Sequence, residues 1–356
     1  MINVNLVEMM VDIYEKTSYI MYWKLISGTE RTKKMEIQQL AKEIIAGRRL
    51  TRDDDLSFFE NADLEEVAKG ADAIREALCS NHVDLCTIIN GRAGRCSENC
   101  KFCAQSAHNH TGCEVHGMLE PEEVLADCKK REAAGVHAYS IVTAGRTVEG
   151  EELDTLVNTY ALLHKECDIV MCASHGLITE EAFKRLKAAG VTRYHANIET
   201  SERNFPNICT THTYADKIKE IQLAKEAGMV VCSGGIIGMG EIWQDRIDMA
   251  VALAELEVES IPINALIPVK GTPFGDLPPL TEDEIIRTVA MFRYINPTAY
   301  IRMAAGRNYF ADGGRRLFKS GVNATITGDM LTTVGNNTEQ DMEMLTDMGF
   351  DLSTAM

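Results

Sequence analysis

The sequence lacks any run of eighteen apolar residues, so it predicts no membrane-spanning helix and no membrane partner. Basic residues are in the minority, with 36 against 53 acidic residues, and the net charge of -17 argues against a nucleic-acid partner. Residues 1–34 lack the basic start and the cleavage site of a secretion signal. These absences predict a cytoplasmic location.

The eleven cysteines are too few and too unevenly spaced for a disulfide scaffold, and they imply a reducing environment. Cys96, Cys100 and Cys103 stand in the segment RCSENCKFCAQS with the spacing C-x3-C-x2-C. No partner C-x2-C or H-x3-H motif occurs elsewhere in the chain, which argues against a four-ligand structural zinc site. Three soft thiolates in one polar loop favour an iron-sulfur cube in which one iron has no protein ligand.

After residue 81, short apolar runs alternate with segments of helical periodicity. The predicted strands cover residues 83–90, 138–143, 169–173, 193–198, 230–234, 260–266, 299–303 and 324–327. Several of the intervening helices end at Gly135, Gly190 or Gly228, the residue type that commonly follows a helix. Eight strands with helices over about 250 residues predict a (β/α)8 barrel of the TIM type.

The alternative fold is an open doubly wound sheet, but the G-x-G-x-x-G turn expected after its first strand is missing. The first strand instead leads into the cysteine loop, which places the loop at the C-terminal mouth of the barrel, where active sites lie. The pattern divides the chain into an N-terminal extension over 1–34, a helical segment over 35–80, the barrel over 81–335 and a C-terminal helical tail over 336–356. The extension is interpreted as helical or as the result of an early start codon.

Three further cysteines fall in odd-numbered predicted strands: Cys86 in the first, Cys172 in the third and Cys232 in the fifth. Arg302 falls in the seventh. Alternate strands of such a barrel supply the side chains of one interior layer, so these four residues are predicted to meet. Singly, each cysteine is better interpreted as a small buried residue. An arginine in the core is a costly charge unless it has an anionic partner, so the four together favour a ligand site.

The cysteine motif, with the aromatic Phe102 before its last cysteine, resembles the signature of the radical S-adenosylmethionine enzymes. The longer segments INGRAGRCSENCKFCAQSAHNHTG, VCSGGIIGMGE, IPINALIPVKGTP and YIRMAAGR resemble the biotin synthases of that superfamily. The resemblance extends from about residue 40 to residue 349. It implies a 4Fe-4S cluster whose open iron binds S-adenosylmethionine and yields a 5'-deoxyadenosyl radical. The implied reaction inserts sulfur at C9 and C6 of dethiobiotin to make biotin.

The biotin synthases also carry a second iron-sulfur cluster, usually held by three strand cysteines and one arginine, as the sulfur donor. Cys172, Cys232 and Arg302 match three of these ligands. Ser140 stands where the family has the remaining cysteine, and Cys86 occupies a first-strand position that is usually not cysteine. We interpret Cys86 as a relocated ligand. A cube-like second cluster with an open iron and a 2Fe-2S cluster with Arg302 as fourth ligand both remain open.

The same resemblance implies roles around S-adenosylmethionine. Asn197 and Glu199 match residues that hydrogen-bond the ribose, and Ile236 begins a turn that resembles the adenine-contacting segment. Asn264 matches an asparagine between substrate and cofactor, and we expect this buried amide to need such a partner. Lys217 replaces a common arginine near the cofactor carboxylate, which keeps the charge but loses the planar fork.

The implied partners are an electron donor such as flavodoxin or ferredoxin, cluster-repair machinery and a second copy of the chain in a homodimer. No ligand role is predicted for five cysteines on helices or loops: Cys79, Cys113, Cys128, Cys167 and Cys209. The alternative functions are maturation of a hydrogenase cofactor, which shares the barrel and the first cluster, and non-catalytic iron-sulfur transport. The first needs no sulfur donor in the barrel, and the second needs no cofactor-binding residues.

Overall fold

The computed structural model describes residues 37–328, 330–332 and 335–353, so the predicted extension over 1–34 lies outside the described residues. The strands are β1 (Asp84–Arg92), β2 (Ala138–Thr143), β3 (Val170–Ser174), β4 (Arg193–His195), β5 (Val230–Cys232), β6 (Gly235–Ile237), β7 (Ser260–Ala265), β8 (Tyr300–Met303) and β9 (Ala324–Ile326). The helices are α1 (37–45), α2 (Leu64–Cys79), α3 (Pro121–Ala133), α4 (Gly150–Glu166), α5 (Glu180–Ala188), α6 (Phe205–Ile208), α7 (Tyr214–Glu226), α8 (Trp243–Glu255), α9 (Glu282–Ile295), α10 (Arg315–Phe318) and α11 (Thr338–Asp347). None of the described helices combines the length and the apolar character that crossing a membrane requires.

The strands form one parallel sheet in the order β5-β4-β3-β2-β1-β9-β8-β7-β6, and a further pairing joins β5 to β7. Strands β5 and β6 are two parts of one barrel strand, interrupted at Ser233 and Gly234. A Cβ atom at Gly234 would lie 1.8 Å from the carbonyl oxygen of Pro262, so only glycine permits this approach. With β5 and β6 counted as one strand, eight strands close into a barrel. The predicted (β/α)8 barrel is confirmed, and the open-sheet alternative is wrong.

Local sequence signals explain where several helices begin and end. The hydroxyl of Thr281 accepts a hydrogen bond from the Glu284 amide at 3.3 Å, and the Glu284 carboxylate accepts one from the Thr281 amide at 3.0 Å. This reciprocal capping begins α9. Gly135, Gly190 and Gly228 follow α3, α5 and α7 with φ angles of 81°, 104° and 73°. These positive angles favour glycine, so the predicted helix ends are confirmed.

The alternation of side chains along each strand separates the core from the site. On β7, Ile261 and Ile263 are fully buried in the hydrophobic core, together with apolar residues of the surrounding helices. Pro262 and Asn264 project to the other face and line a cavity inside the barrel. This period of two places every second strand residue within reach of a ligand in the cavity.

Candidate active site

Two cavities meet at the cysteine loop. The larger, of 370 Å³, extends from the barrel interior to the loops that follow the strands, and Cys103 lines it. The smaller, of 140 Å³, is lined by Cys96 and Cys100. Phe102 and Glu199 line both cavities. The loop therefore presents thiols on two sides, as expected for residues that surround one bound group.

Hydrogen bonds fix the backbone of the cysteine loop. The amide of Cys96 donates to the carbonyl of Gln105 at 2.9 Å. The side chain of Asn109 donates to the carbonyls of Cys100 and Cys103 at 3.2 and 2.9 Å. None of the three thiols is in a disulfide, so all three are free to bind metal.

Burial raises the pKa of the Cys103 thiol to about 11. A hydrogen bond with Cys209, together with burial, raises the pKa of the Cys100 thiol, and the same bond lowers the pKa of Cys209. A coordinated metal ion removes such thiol protons outright. Without metal, the thiols of Cys100 and Cys103 are therefore protonated, and these soft donors are suited to bind iron.

Cys209 lies beside the loop, although the sequence suggested no role for it. The ligand atoms of Cys100, Cys209 and His212 lie within 4.8 Å of one another. His212 also bonds the carboxylate of Glu98, another residue of the cysteine loop. The spacing C-x2-H between Cys209 and His212 is the sequence signal that could have identified this group. Cys209 gives the smaller cavity a third thiol, beside those of Cys96 and Cys100.

Asn197 and Glu199 lie together at the end of β4, as the sequence predicts. The amide of Asn197 donates to the Glu199 carboxylate at 3.3 Å and accepts a hydrogen bond from the Gly234 amide at 3.0 Å. Glu199 has a φ of 66°, which is uncommon for a residue other than glycine and is typical of functional positions. Burial raises the pKa of Glu199. Both side chains offer oxygen atoms to the larger cavity.

Ile236 and Asn264 are register partners on β6 and β7, and both line the larger cavity. The amide of Asn264 donates to the Gly235 carbonyl at 3.2 Å and accepts from the Ala305 amide at 3.1 Å. The expectation that this buried amide needs a ligand as its partner is therefore wrong, because the protein supplies partners. Its position in the cavity still permits contact with a ligand.

Lys217 lines the smaller cavity and does not line the larger one. Its ammonium group bonds the Glu220 carboxylate at 2.5 Å. Burial alone would lower the pKa of Lys217, but Glu220 raises it above the usual value. The lysine therefore stays charged in the cavity that Cys96, Cys100 and Glu199 also line.

Deeper in the barrel, Cys86, Cys172, Cys232 and Arg302 all line the larger cavity. Cys86 and Cys172 pack together, and a hydrogen bond between them lowers the pKa of Cys86 and raises that of Cys172. Burial alone would raise the pKa of Cys232, but a hydrogen bond from His195 lowers it to about 7. The barrel thus brings the three strand cysteines to one cavity, with one thiol poised to ionise.

Arg302 has an acidic partner that the sequence analysis missed. It forms an ion pair with Asp84 of β1 and donates to the Thr325 carbonyl at 2.9 Å. Arg193 of β4 forms a second ion pair with Asp84, at 3.0 Å. The argument that Arg302 requires a bound anion to offset its charge is therefore wrong. Asp84 precedes Cys86 by two positions, so strand alternation alone predicts that both side chains face the interior.

The chain matches known protein families and known proteins over most of its length. Residues 90–253 match the model of the Radical SAM superfamily, and residues 262–351 match the Biotin and Thiamin Synthesis associated domain. The chain is 63% identical to a biotin synthase from Alkaliphilus metalliredigens over 89% of this chain and 100% of that relative. It is 64% identical to a biotin synthase from Clostridium beijerinckii, again over 89% of this chain and 100% of the relative.

Two solved structures share the fold at low sequence identity. The crystal structure of methylornithine synthase superposes with a TM-score of 0.77 at 19% identity, covering 88% of this chain and 96% of that one. The FeFe-hydrogenase maturase HydG from Carboxydothermus hydrogenoformans gives a TM-score of 0.76 at 17% identity, covering 94% and 83%. At these identities the likeness concerns the fold alone.

Proposed function

The chain belongs to the biotin synthase family of radical S-adenosylmethionine enzymes, and we propose on this premise that it converts dethiobiotin to biotin by inserting sulfur at C9 and C6. One observation carries the proposal: a single cavity joins Cys103 of the cysteine loop to Cys86, Cys172 and Cys232 in the barrel. Hydrogen removal and sulfur insertion act on the same carbons, so the radical source and the sulfur source must face one substrate site. A cavity with thiols at both ends meets this requirement.

The two clusters supply the hard chemistry when bound: with S-adenosylmethionine, the first supplies a 5'-deoxyadenosyl radical, and the second supplies sulfur. Cys96, Cys100 and Cys103 hold the first cluster in a loop with a fixed backbone. Lys217 lies beside that loop as the cation for the carboxylate of S-adenosylmethionine. Its single ammonium group neutralises the carboxylate without the two-point contact of an arginine.

The larger cavity positions the remaining parts of the ligands. Asn197 and Glu199 offer oxygen atoms to the ribose hydroxyls, and Ile236 contributes an apolar surface for the adenine. Asn264, held on both sides by backbone groups, contacts the substrate and the cofactor where they meet. The apolar lining residues Ile88, Val142, Ile267 and Val269 exclude water from the radical.

The interior donor set fits a second iron-sulfur cluster. Cys86, Cys172 and Cys232 offer three soft thiols to one cavity, and Arg302 lies in the same lining. Three thiols would hold a cube-like cluster, which would supply the sulfur. A 2Fe-2S cluster requires Arg302 as its fourth ligand, and the guanidinium would then have to give up hydrogen bonds to Asp84 or Thr325.

The proposal includes partners that follow from the reaction. The reaction would need an electron donor such as flavodoxin or ferredoxin for the first cluster, and repair machinery that restores the second. We also propose a homodimer. The hydrogenase-maturase alternative has the support of the fold alone, through a structure with 17% sequence identity.

Anaerobic assays with dethiobiotin, S-adenosylmethionine and a reductant test the function. We expect both 5'-deoxyadenosine and biotin, and neither product when S-adenosylmethionine is omitted. A maturase would form 5'-deoxyadenosine without biotin. A non-catalytic carrier would form neither, so either of these two results would contradict the proposal.

A further inference from the structure

Two arginines that line the larger cavity, together with the one buried carboxylate that both of them contact, form a cluster that we call the floor. Asp84 is fully buried and pairs with both Arg193 and Arg302, which are 3% and 2% exposed. Neither arginine has another acidic partner in the part of the chain that the structure describes. The floor therefore carries one positive charge in excess, and a buried charge of this kind is costly unless an anion lies beside it.

The two arginines differ in their free hydrogen-bond donors. Arg302 uses one terminal nitrogen for the carbonyls of Asp84 and Thr325, at 3.3 and 2.9 Å, and the other for the Asp84 carboxylate. Arg193 uses only Nη1, which donates to Asp84 at 3.0 Å. Its Nε and Nη2 are buried and have no hydrogen-bond partner among the described residues. A buried guanidinium with two unused donors is expected to have a ligand.

The position of Arg193 identifies the ligand by its chemistry. Arg193 lines the cavity and is the register partner of Cys172, so the two side chains project from neighbouring strands to the same interior. An arginine guanidinium is protonated at ordinary pH and offers only hydrogen-bond donors, which suits contact with anionic sulfur.

We propose that Arg193 binds the second iron-sulfur cluster by donating hydrogen bonds from Nε and Nη2 to its sulfide or thiolate sulfur atoms. In this arrangement the main role of Arg302 is its ion pair with Asp84. The inference rests on the proposed function, because it requires a cluster at Cys86, Cys172 and Cys232. Hydrogen bonds to the sulfur atoms of a cluster stabilise its more negative, reduced form, so Arg193 also raises the reduction potential of the second cluster.

The test uses the full-length chain and its Arg193→Met, Arg193→Lys and Arg302→Met variants, each reconstituted anaerobically with ferrous iron and sulfide. Mössbauer spectra count the two clusters, and the first cluster serves as the internal reference in each sample. In Arg193→Met we expect a chelator to strip the second cluster at an about tenfold lower concentration, with a lower reduction potential of that cluster. Arg193→Lys keeps one donor group and the charge, and should give an intermediate result.

A second measurement separates cluster binding from a structural role. Without iron, Arg193→Met should unfold at a temperature no lower than the iron-free parent, because Asp84 and Arg302 remain as a balanced pair. Arg302→Met removes three hydrogen bonds to the protein and should lower that temperature. The proposal would be overturned if iron-free Arg193→Met were clearly less stable than the iron-free parent. It would also be overturned if the second cluster of Arg193→Met resisted the chelator as well as the parent's cluster does and had the same reduction potential.

Failure of the proposed function is visible in the parent protein alone. A parent that holds two clusters but forms no biotin would contradict biotin synthesis, and the comparison of cluster retention would still decide the role of Arg193. A parent that forms biotin, with no change of its second cluster in Arg193→Met, would overturn only the present inference.

Discussion

Ser140 on β2 and Cys172 on β3 are direct register partners in the parallel sheet, and both line the cavity inside the barrel. The position where related enzymes have a cysteine thus faces the proposed second cluster but offers a hydroxyl. Cys86, on the other side of β2, packs against Cys172. This arrangement makes the ligand set testable by single substitutions on three adjacent strands.

Ser140→Ala should leave the iron and sulfide content of the reconstituted protein almost unchanged, because a neutral hydroxyl is a poor ligand for a soft iron site. The matched control is Cys172→Ala on the neighbouring strand, which should lose the second cluster. Elemental analysis with Mössbauer spectra measures both. Loss of the second cluster in Ser140→Ala would show that the serine is a ligand.

Cys86→Ser should retain 5'-deoxyadenosine formation and lose biotin formation. The first cluster is held by a separate loop, whereas the second loses one of three thiolates, and a serine hydroxyl is too weakly acidic to replace it. Both products are measured in the same reaction. Cys128→Ser, at a fully buried cysteine on α3 outside both cavities, is the control and should form both products.

A normal biotin yield from Cys86→Ser would contradict the relocated ligand. The Mössbauer spectrum of the parent protein decides the type of the second cluster. A spectrum with only a two-iron second cluster would contradict the cube-like form and favour Arg302 as fourth ligand.

Alanine at Cys96, Cys100 or Cys103 should abolish cleavage of S-adenosylmethionine, because each substitution removes one of three anchors of the first cluster. Cys209→Ala is the matched control, because it removes a thiol that lies within 4.8 Å of the Cys100 sulfur. This variant should still form 5'-deoxyadenosine. A Cys100→Ala variant with normal 5'-deoxyadenosine formation would place the anchor elsewhere, with Cys209 as the first candidate.

Acid should destabilise the iron-free protein through His175, whose pKa is lowered by burial to about 3. The folded protein keeps this imidazole neutral, bonded to Thr143 at 3.0 Å and Tyr160 at 3.1 Å, while the unfolded chain takes up a proton below its ordinary pKa of 6.5. The contribution of the neutral His175 to the free energy of unfolding is fully present above pH 6.5 and decreases as the pH falls towards 3. By pH 5 the loss is about 2 kcal/mol.

Urea unfolding at pH 7 and pH 5 measures this loss. His175→Asn should show a drop in unfolding free energy between the two pH values that is about 2 kcal/mol smaller than in the parent. His164→Asn, on the exposed side of α4, makes the same change at the surface and should keep the parent's drop. Equal drops in all three proteins would exclude His175 as the source.

Local patterns in the sequence determined the elements of the barrel and the first site. Strand alternation, helical periodicity and the glycines at 135, 190 and 228 act within a few residues, so they can be interpreted without the fold. The spacing of Cys96, Cys100 and Cys103 confines three thiols to one loop for the same reason. The odd-strand rule also predicted that Cys86, Cys172 and Cys232 share the interior, and all three line one cavity.

Only the tertiary structure decided the partners across the barrel. Asp84 meets Arg193 and Arg302 over sequence separations of 109 and 218 residues, and Cys209 reaches the cysteine loop from beyond β4. Which side chains meet at one level depends on the tilt and register of all the strands once the barrel closes. Strand alternation, which is local, determined which residues face the interior. No local pattern encodes the closure of the barrel, and only the closed barrel decided that Arg302 is paired and that Arg193 keeps two free hydrogen-bond donors.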